Sequence, residues 1–191
     1  MPNRDRRDRP PYAMERAHDR KSFPQQEVPN SEVAHTAQQF RQAANLMSKD
    51  KLVCYLNIPL MCNAAFALEL YLKSLNTNNV YLPDPDAVPG TCYMVFSMPN
   101  KKGHVLTEQY DELLPELKKL LDDAYAQMPV VAHASTFREA LAAYDDVYVS
   151  SRYWFDPKYP RGFGPNITAL IDLVNLVGEC IETLPGWTIR K

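Results

Sequence analysis

Glycine is scarce in this sequence, with six residues in 191 against 16 prolines. Collagen-like repeats, Gly-rich linkers and β-solenoids are excluded by that scarcity. Long apolar runs are also missing. The longest uncharged stretch, residues 52–68, covers 17 positions, whereas a membrane-spanning helix needs about 20 predominantly apolar ones. It contains Asn57, Pro59 and Asn63 and runs into Glu69 and Lys73, the pattern of a buried helix in a soluble bundle. No excess of charge of either sign is present. The net charge is −2, so no global pull toward nucleic acid or anionic lipid is expected.

Paired metal ligands are absent as well. The four cysteines stand at 54, 62, 92 and 180, with no Cys-x-x-Cys and no histidine at metal spacing. Zinc sites bring their ligands in close pairs, so neither a metal nor any other cofactor is expected. Scattered thiols of this kind read as small buried hydrophobes in a reducing compartment. No uninterrupted apolar stretch follows the first positive residues, and Asp5, Asp8, Glu15 and Asp19 oppose a transit peptide. A cytoplasmic location is the expectation, which leaves the Asn166-Ile167-Thr168 sequon idle. Catalytic signatures are missing too. The chain has no Gly-x-Ser-x-Gly, no phosphate-binding Gly-x-x-x-x-Gly-Lys and no His-Glu-x-x-His, and Gly162-Phe163-Gly164-Pro165 stops short of a dinucleotide fingerprint.

What is present divides the chain in two. Residues 1–30 carry seven Lys and Arg against five Asp and Glu, with five prolines and almost no aliphatic side chains. Such a segment cannot bury enough apolar surface to offset the entropy of ordering it, so it reads as a disordered basic arm. Its other reading is an arm that touches nucleic-acid phosphates. Residues 31–191 read as one helical domain. Ser31 gives an N-cap signal, and Val33, Ala37, Phe40, Ala44 and Met47 recur at helical spacing to about Lys49. Pro59 breaks or restarts the next segment. From there to Asn76 the chain has no breaker, and Leu60, Ala64, Ala67, Tyr71 and Leu75 mark the most buried helix.

Residues 76–103 read as a long loop with a β-like run from Cys92 to Ser97, in the form of a short strand or hairpin. A third helix opens at Gly103-His104 and continues to Tyr125, with Pro115 at the first turn of its second half. Thr136 is a plausible N-cap for a fourth, whose stripe Phe137, Leu141, Tyr144, Tyr148 and Arg152 sets Arg152 on or beside the core face. The last helix, about 166–183, carries Leu170, Leu173, Val174, Val177 and Ile181 before Pro185-Gly186. Five helical segments without regular strands imply an all-α, four- to five-helix up-and-down bundle.

Four positions stand out chemically. His104 follows Lys101-Lys102-Gly103 at a helix start, where the dipole and the lysines disfavour the imidazolium and suit acid–base work. The competing reading is that it simply starts the helix. His18, His35 and His133 read as solvated or edge residues. Glu69 and Lys73 form an i,i+4 pair in an otherwise uncharged helix, and a buried Glu69 would need a partner, for which Arg152 is a candidate. That cluster is either a structural ion pair or a phosphate-binding site at Lys73 and Arg152. Tyr153 and Trp154 beside Arg152 could stack on a base, although aromatics at helical spacing are more often core.

Ala64-Ala65-Phe66-Ala67-Leu68-Glu69-Leu70-Tyr71-Leu72-Lys73-Ser74-Leu75 resembles the A-x-E-L-x-L-K-x-L helix of HEPN (higher eukaryote and prokaryote nucleotide-binding) domains. Lys102-Gly103-His104-Val105-Leu106 is similar to that family's G-H-x-L entry into its third helix, and Ser151-Arg152-Tyr153 resembles its R-Y. The motifs fall in the family's order and span about residues 31–183. The resemblance implies a dimerising bundle and, in many members, metal-independent RNA cleavage in toxin–antitoxin or defence systems. There an Arg and a His four to six residues apart meet their dimer copies. This sequence departs from the pattern, because Pro157, Lys158 and Tyr159 occupy the positions where such a His would follow Arg152.

The resulting expectation is a cytoplasmic HEPN-like homodimer without the usual nuclease centre. It would bind a nucleotide, RNA or a protein partner such as a cognate antitoxin through a pocket near Glu69, Lys73, His104, Arg152 and Tyr153, and it would have no membrane association. Two alternatives remain open. One is a divergent metal-independent RNase with His104 and Arg152 as catalytic residues. The other is an interaction or dimerisation domain whose ionic cluster only fixes helix register.

Overall fold

A computed structural model describes residues 28–50, 55–83, 93–128, 134–153 and 166–187. Among the described residues the chain forms seven α-helices and one two-stranded antiparallel sheet, so it is predominantly helical. The basic arm falls almost entirely, and Cys54, Cys92, His133 and Trp154 fall wholly, outside the described residues. No helix among those described is long and apolar enough to cross a membrane.

Helix α1 (Ser31–Ser48) starts one residue earlier than its sequence signal: Asn30, not Ser31, is the N-cap, its side-chain oxygen accepting the Val33 N–H at 3.2 Å. Helix α2 (Asn57–Ser74) contains Pro59 without interruption. The proline occupies the first turn, where its missing N–H would have had no intrahelical acceptor in any case. Leu60, Leu68, Tyr71 and Leu72 are buried, and buried residues occur all round α2, which makes it the central helix. It packs against α1 and, further along the chain, against helices α3 (Leu106–Asp111), α6 (Val147–Arg152) and α7 (Ile167–Glu182).

Within the 76–103 segment two strands, β1 (Thr77–Pro83) and β2 (Tyr93–Pro99), pair antiparallel in the register Thr77 opposite Pro99, and residues 84–92 between them lie outside the described residues. Asparagines fasten the strand pair. The Asn30 amide donates to the Asn79 side chain at 2.6 Å, the Asn100 amide donates to the Asn76 side chain at 2.6 Å, and the Asn30 backbone N–H donates to the Ser74 carbonyl at 2.8 Å.

The third sequence-predicted helix is two helices, α3 and α4 (Pro115–Ala126), with Pro115 opening the second. The fourth is also two, α5 (Phe137–Ala142) and α6, parted by a turn over 143–146. Thr136 caps α5 as its sequence suggests, accepting from the Glu139 N–H at 3.1 Å. In the turn the backbone tightens, with Tyr144 N–H bonded to the Leu141 carbonyl and Val147 N–H to that of Tyr144. The Asp145 carboxylate leaves the helix direction to accept the Thr107 N–H at 2.8 Å and its hydroxyl at 2.7 Å. Asp145 thus caps α3 from another element. The apolar stripe survives this break as far as Tyr144 and Val147, which are buried.

Helix α7 is capped by Asn166 and buries Leu170, Leu173, Val174, Val177 and Ile181. Two polar devices key it to α1. Asn45 and Asn175 exchange amide hydrogen bonds at 2.8 and 3.2 Å. Arg41 crosses Gly178, passes 5.9 Å from the Tyr71 ring centroid and pairs with Glu182. A β-carbon on Gly178 would stand 2.0 Å from the Arg41 guanidinium, so only glycine leaves that path open.

Candidate functional site

Glu69, near the middle of the buried helix, is 1% exposed. A carboxylate so deeply placed has to be matched by hydrogen-bond donors. One is Lys73, a turn later on α2, whose Nζ donates to Oε1 at 2.6 Å with its side chain 14% exposed. The other is His104, whose Nδ1 lies 3.0 Å from both Glu69 oxygens. A carboxylate only accepts, so Nδ1 carries the hydrogen and the neutral ring keeps its lone pair on Nε2. The His104 side chain is 49% exposed, and Nε2 has no hydrogen-bond partner among the described residues.

His104 is not inside a helix start, as its sequence context suggests. It lies in a bend two residues before α3. Gly103 makes the bend with φ +105°, a region that side-chain-bearing residues rarely adopt. Gln109, itself 1% exposed, turns its amide back toward the carbonyls of Lys101 and Gly103 at 3.5 and 3.4 Å. Lys101 is engaged by Glu108 at 2.9 Å. Asp145 fixes the first turn of α3 to the turn that launches α6.

Arg152 is corrected more fully. The sequence stripe sets it toward the core as a partner of Glu69, yet it is exposed and bonded elsewhere. The stripe loses its core contact at the end of α6, because the break over 143–146 separates α6 from α5. The Arg152 guanidinium donates to the Tyr148 hydroxyl at 3.1 Å and sits 5.3 Å from the Tyr148 ring centroid and 5.7 Å from that of Tyr153.

Tyr148 connects the two halves, and sequence reasoning missed it. Its ring centroid is 5.3 Å from that of His104, and it stacks on Phe66 at 4.6 Å and 10°, with Phe40 edge-on behind Phe66 at 4.7 Å. Burial pushes the Tyr148 hydroxyl's pKa up, Arg152 acts against that, and Cys62 and Glu69 add upward contributions. The i,i+4 spacing of Tyr148 and Arg152 was the available signal, but it reads equally as core.

Glu69, Lys73 and His104 are therefore in direct contact, and Arg152 reaches them through one aromatic ring. One carboxylate stands against two fixed cations, so the cluster is net positive whatever the state of His104. It can receive an anion, and its imidazole can exchange a proton at Nε2. No group of three or more acidic, His or Cys side chains suited to a metal ion occurs among the described residues. Compared with family models, with curated proteins and with solved structures, the chain shows no match.

Proposed function

We propose that this chain is a HEPN-like helical domain, acting as a homodimer, that binds the phosphate of a nucleotide or of RNA at His104 and Arg152. The supporting observation is the Glu69 carboxylate, which holds the half-exposed imidazole by Nδ1 and leaves Nε2 unpartnered among the described residues, while the Tyr148 ring that neighbours His104 also carries the Arg152 guanidinium. Arg152 supplies the planar donor fork that suits phosphate oxygens. Tyr153, exposed next to Arg152, is the aromatic candidate for contact with a base. Lys73, engaged by Glu69, acts through the local charge and not as a direct ligand.

The same observation favours a second reading, a metal-independent endoribonuclease. In that chemistry His104 Nε2 takes the proton of a ribose 2′-hydroxyl and O2′ attacks the adjacent phosphorus. The bond to O5′ then breaks and O5′ takes up the proton from the His104 imidazolium, directly or through a water, leaving a 2′,3′-cyclic phosphate, a 5′-hydroxyl and the neutral ring restored. Glu69 stabilises the imidazolium formed, and Arg152 offsets charge on the phosphate.

Fluorescence titration with a labelled single-stranded RNA and with AMP tests the site. Arg152→Ala and His104→Ala are expected to weaken binding about tenfold each, as loss of a charged contact does. Melting temperature should stay unchanged in Arg152→Ala, whose side chain is exposed, and fall in His104→Ala, which removes one of the two donors to buried Glu69. Affinity unchanged in both variants would remove the site and leave an interaction domain. RNA cleavage that persists in EDTA and is lost in His104→Ala would establish the second reading, and cleavage retained in that variant would eliminate it.

A further inference from the structure

A concavity lies away from the His104 cluster and shares no residue with it. It is a cleft of about 110 Å³ between α4, α5 and the first half of α7. Tyr125 and Tyr144 form its walls. Their hydroxyls are held in backbone hydrogen bonds, Tyr125 to the Ala134 carbonyl at 3.2 Å and Tyr144 to the Asn166 carbonyl at 3.0 Å, which anchors both residues in the lining. Ala143 and Ala169 leave the room that larger side chains would fill. Two carboxylates complete the lining, and they differ. Glu139 accepts the Ser135 N–H at 3.0 Å and is exposed. Asp172 is half-buried and makes no hydrogen bond or ion pair with any described residue.

An unmatched carboxylate beside a small apolar space is a defined recognition element. Apolar walls take up a hydrocarbon body, and a partly desolvated carboxylate attracts an ammonium more strongly than an exposed one does. We propose that this cleft binds a small organic cation, a primary ammonium on a compact hydrocarbon body, with the ammonium on Asp172 and the body between Tyr125 and Tyr144. The volume sets the size. Benzene occupies engineered cavities of about 150 Å³, so a somewhat smaller space takes a body of about five carbons. Charge sets the class: among the described residues both titratable groups in the lining other than the tyrosines are acidic, and an anion would be repelled.

The test is a heteronuclear NMR titration of the full chain at pH 7 with cyclopentylamine, using cyclopentanol as its uncharged isostere. Saturable shifts of the amides from Ala169 to Leu173 are expected with the amine, with at least tenfold weaker binding of the alcohol. Asp172→Asn should lose the amine at least tenfold, while Asp172→Glu keeps it within about threefold. Ala143→Leu, at an exposed position, should abolish binding of both compounds with no loss of melting temperature. Three results would overturn the proposal: no saturable binding of the amine, equal affinity for amine and alcohol, or an Asp172→Asn chain that binds the amine as the parent does.

Discussion

Glu69 owes its place to two donors of different character. Lys73 neutralises it within the helix, whereas His104 arrives from a separate bend and keeps half of its ring in water. Removing the carboxylate's charge should therefore reveal both roles. Glu69→Gln leaves the Lys73 ammonium poorly exposed and unmatched, and breaking such a pair from one side costs about 3 kcal/mol. The double replacement Glu69→Leu with Lys73→Met should cost less, since it strands no charge. Urea denaturation of the three chains checks the ordering. If Glu69→Gln is as stable as the parent, the ammonium has turned into water and the pair does not hold the helix. The Glu69–Lys73 pairing is legible in sequence, because i,i+4 spacing on a helix dictates it. His104 as the third member is not, since its approach depends on the turn at Gly103 and on Gln109 holding that turn.

At the scale of elements, small residues decide how closely helices meet. Arg41 reaches Glu182 only by lying over Gly178. Glycine inside a helix costs about 0.5–1 kcal/mol relative to alanine, so its presence in α7 has to be explained by what passes above it. In an Arg41→Ala background, Gly178→Ala should raise stability by that amount. In the parent chain the same change should give no gain, because the guanidinium must leave Glu182 and the Tyr71 ring. A thermodynamic double-mutant cycle measures the difference, and equal effects in both backgrounds would disprove the coupling. The sequence periodicity located α1 and α7 well, because each carries a long apolar stripe, and α2 stands out as a long apolar run without a breaker after Pro59. The periodicity merged α3 with α4 and α5 with α6. Their stripes run on across Glu112–Leu114 and 143–146, while local i→i+3 bonds and the outward turn of Asp145 end the backbone helices.

For the molecule as a whole, acid sensitivity is set by carboxylates that the fold pairs. Asp111 at the end of α3 and Arg138 on α5 form a two-pronged pair at 2.8 and 2.7 Å. The Arg138 guanidinium holds the Asp111 carboxyl below the usual carboxylate range. A folded-state value lower than the unfolded one adds stability that is complete above the unfolded value, about 3.9, and is lost as pH falls through the folded value. The melting temperature of Asp111→Asn should therefore lie slightly below that of the parent at pH 7, and the gap should close on acidification below about pH 4. The effect is small because both side chains are half-exposed and solvent screens them. A gap that persists at low pH would mean that the contact acts through packing. At this scale the predominantly helical character follows from the absence of alternating strands, with one two-stranded sheet beside the helices. The arrangement that gathers Glu69, Tyr148 and His104 depends on tertiary tethers that leave no period in the sequence, and Tyr148 stayed hidden for that reason.

Asn30 has a consequence of another kind. The Asn30 side chain closes the first turn of α1 and grips β1, while the residue's backbone N–H donates to the Ser74 carbonyl at the end of α2. Three segments distant in the chain thus share a single knot. None can fray there alone, so opening the knot exposes the strand pair, the start of α1 and the end of α2 to solvent in one concerted event. Neutral amides form the knot, and for that reason neither salt nor pH loosens it.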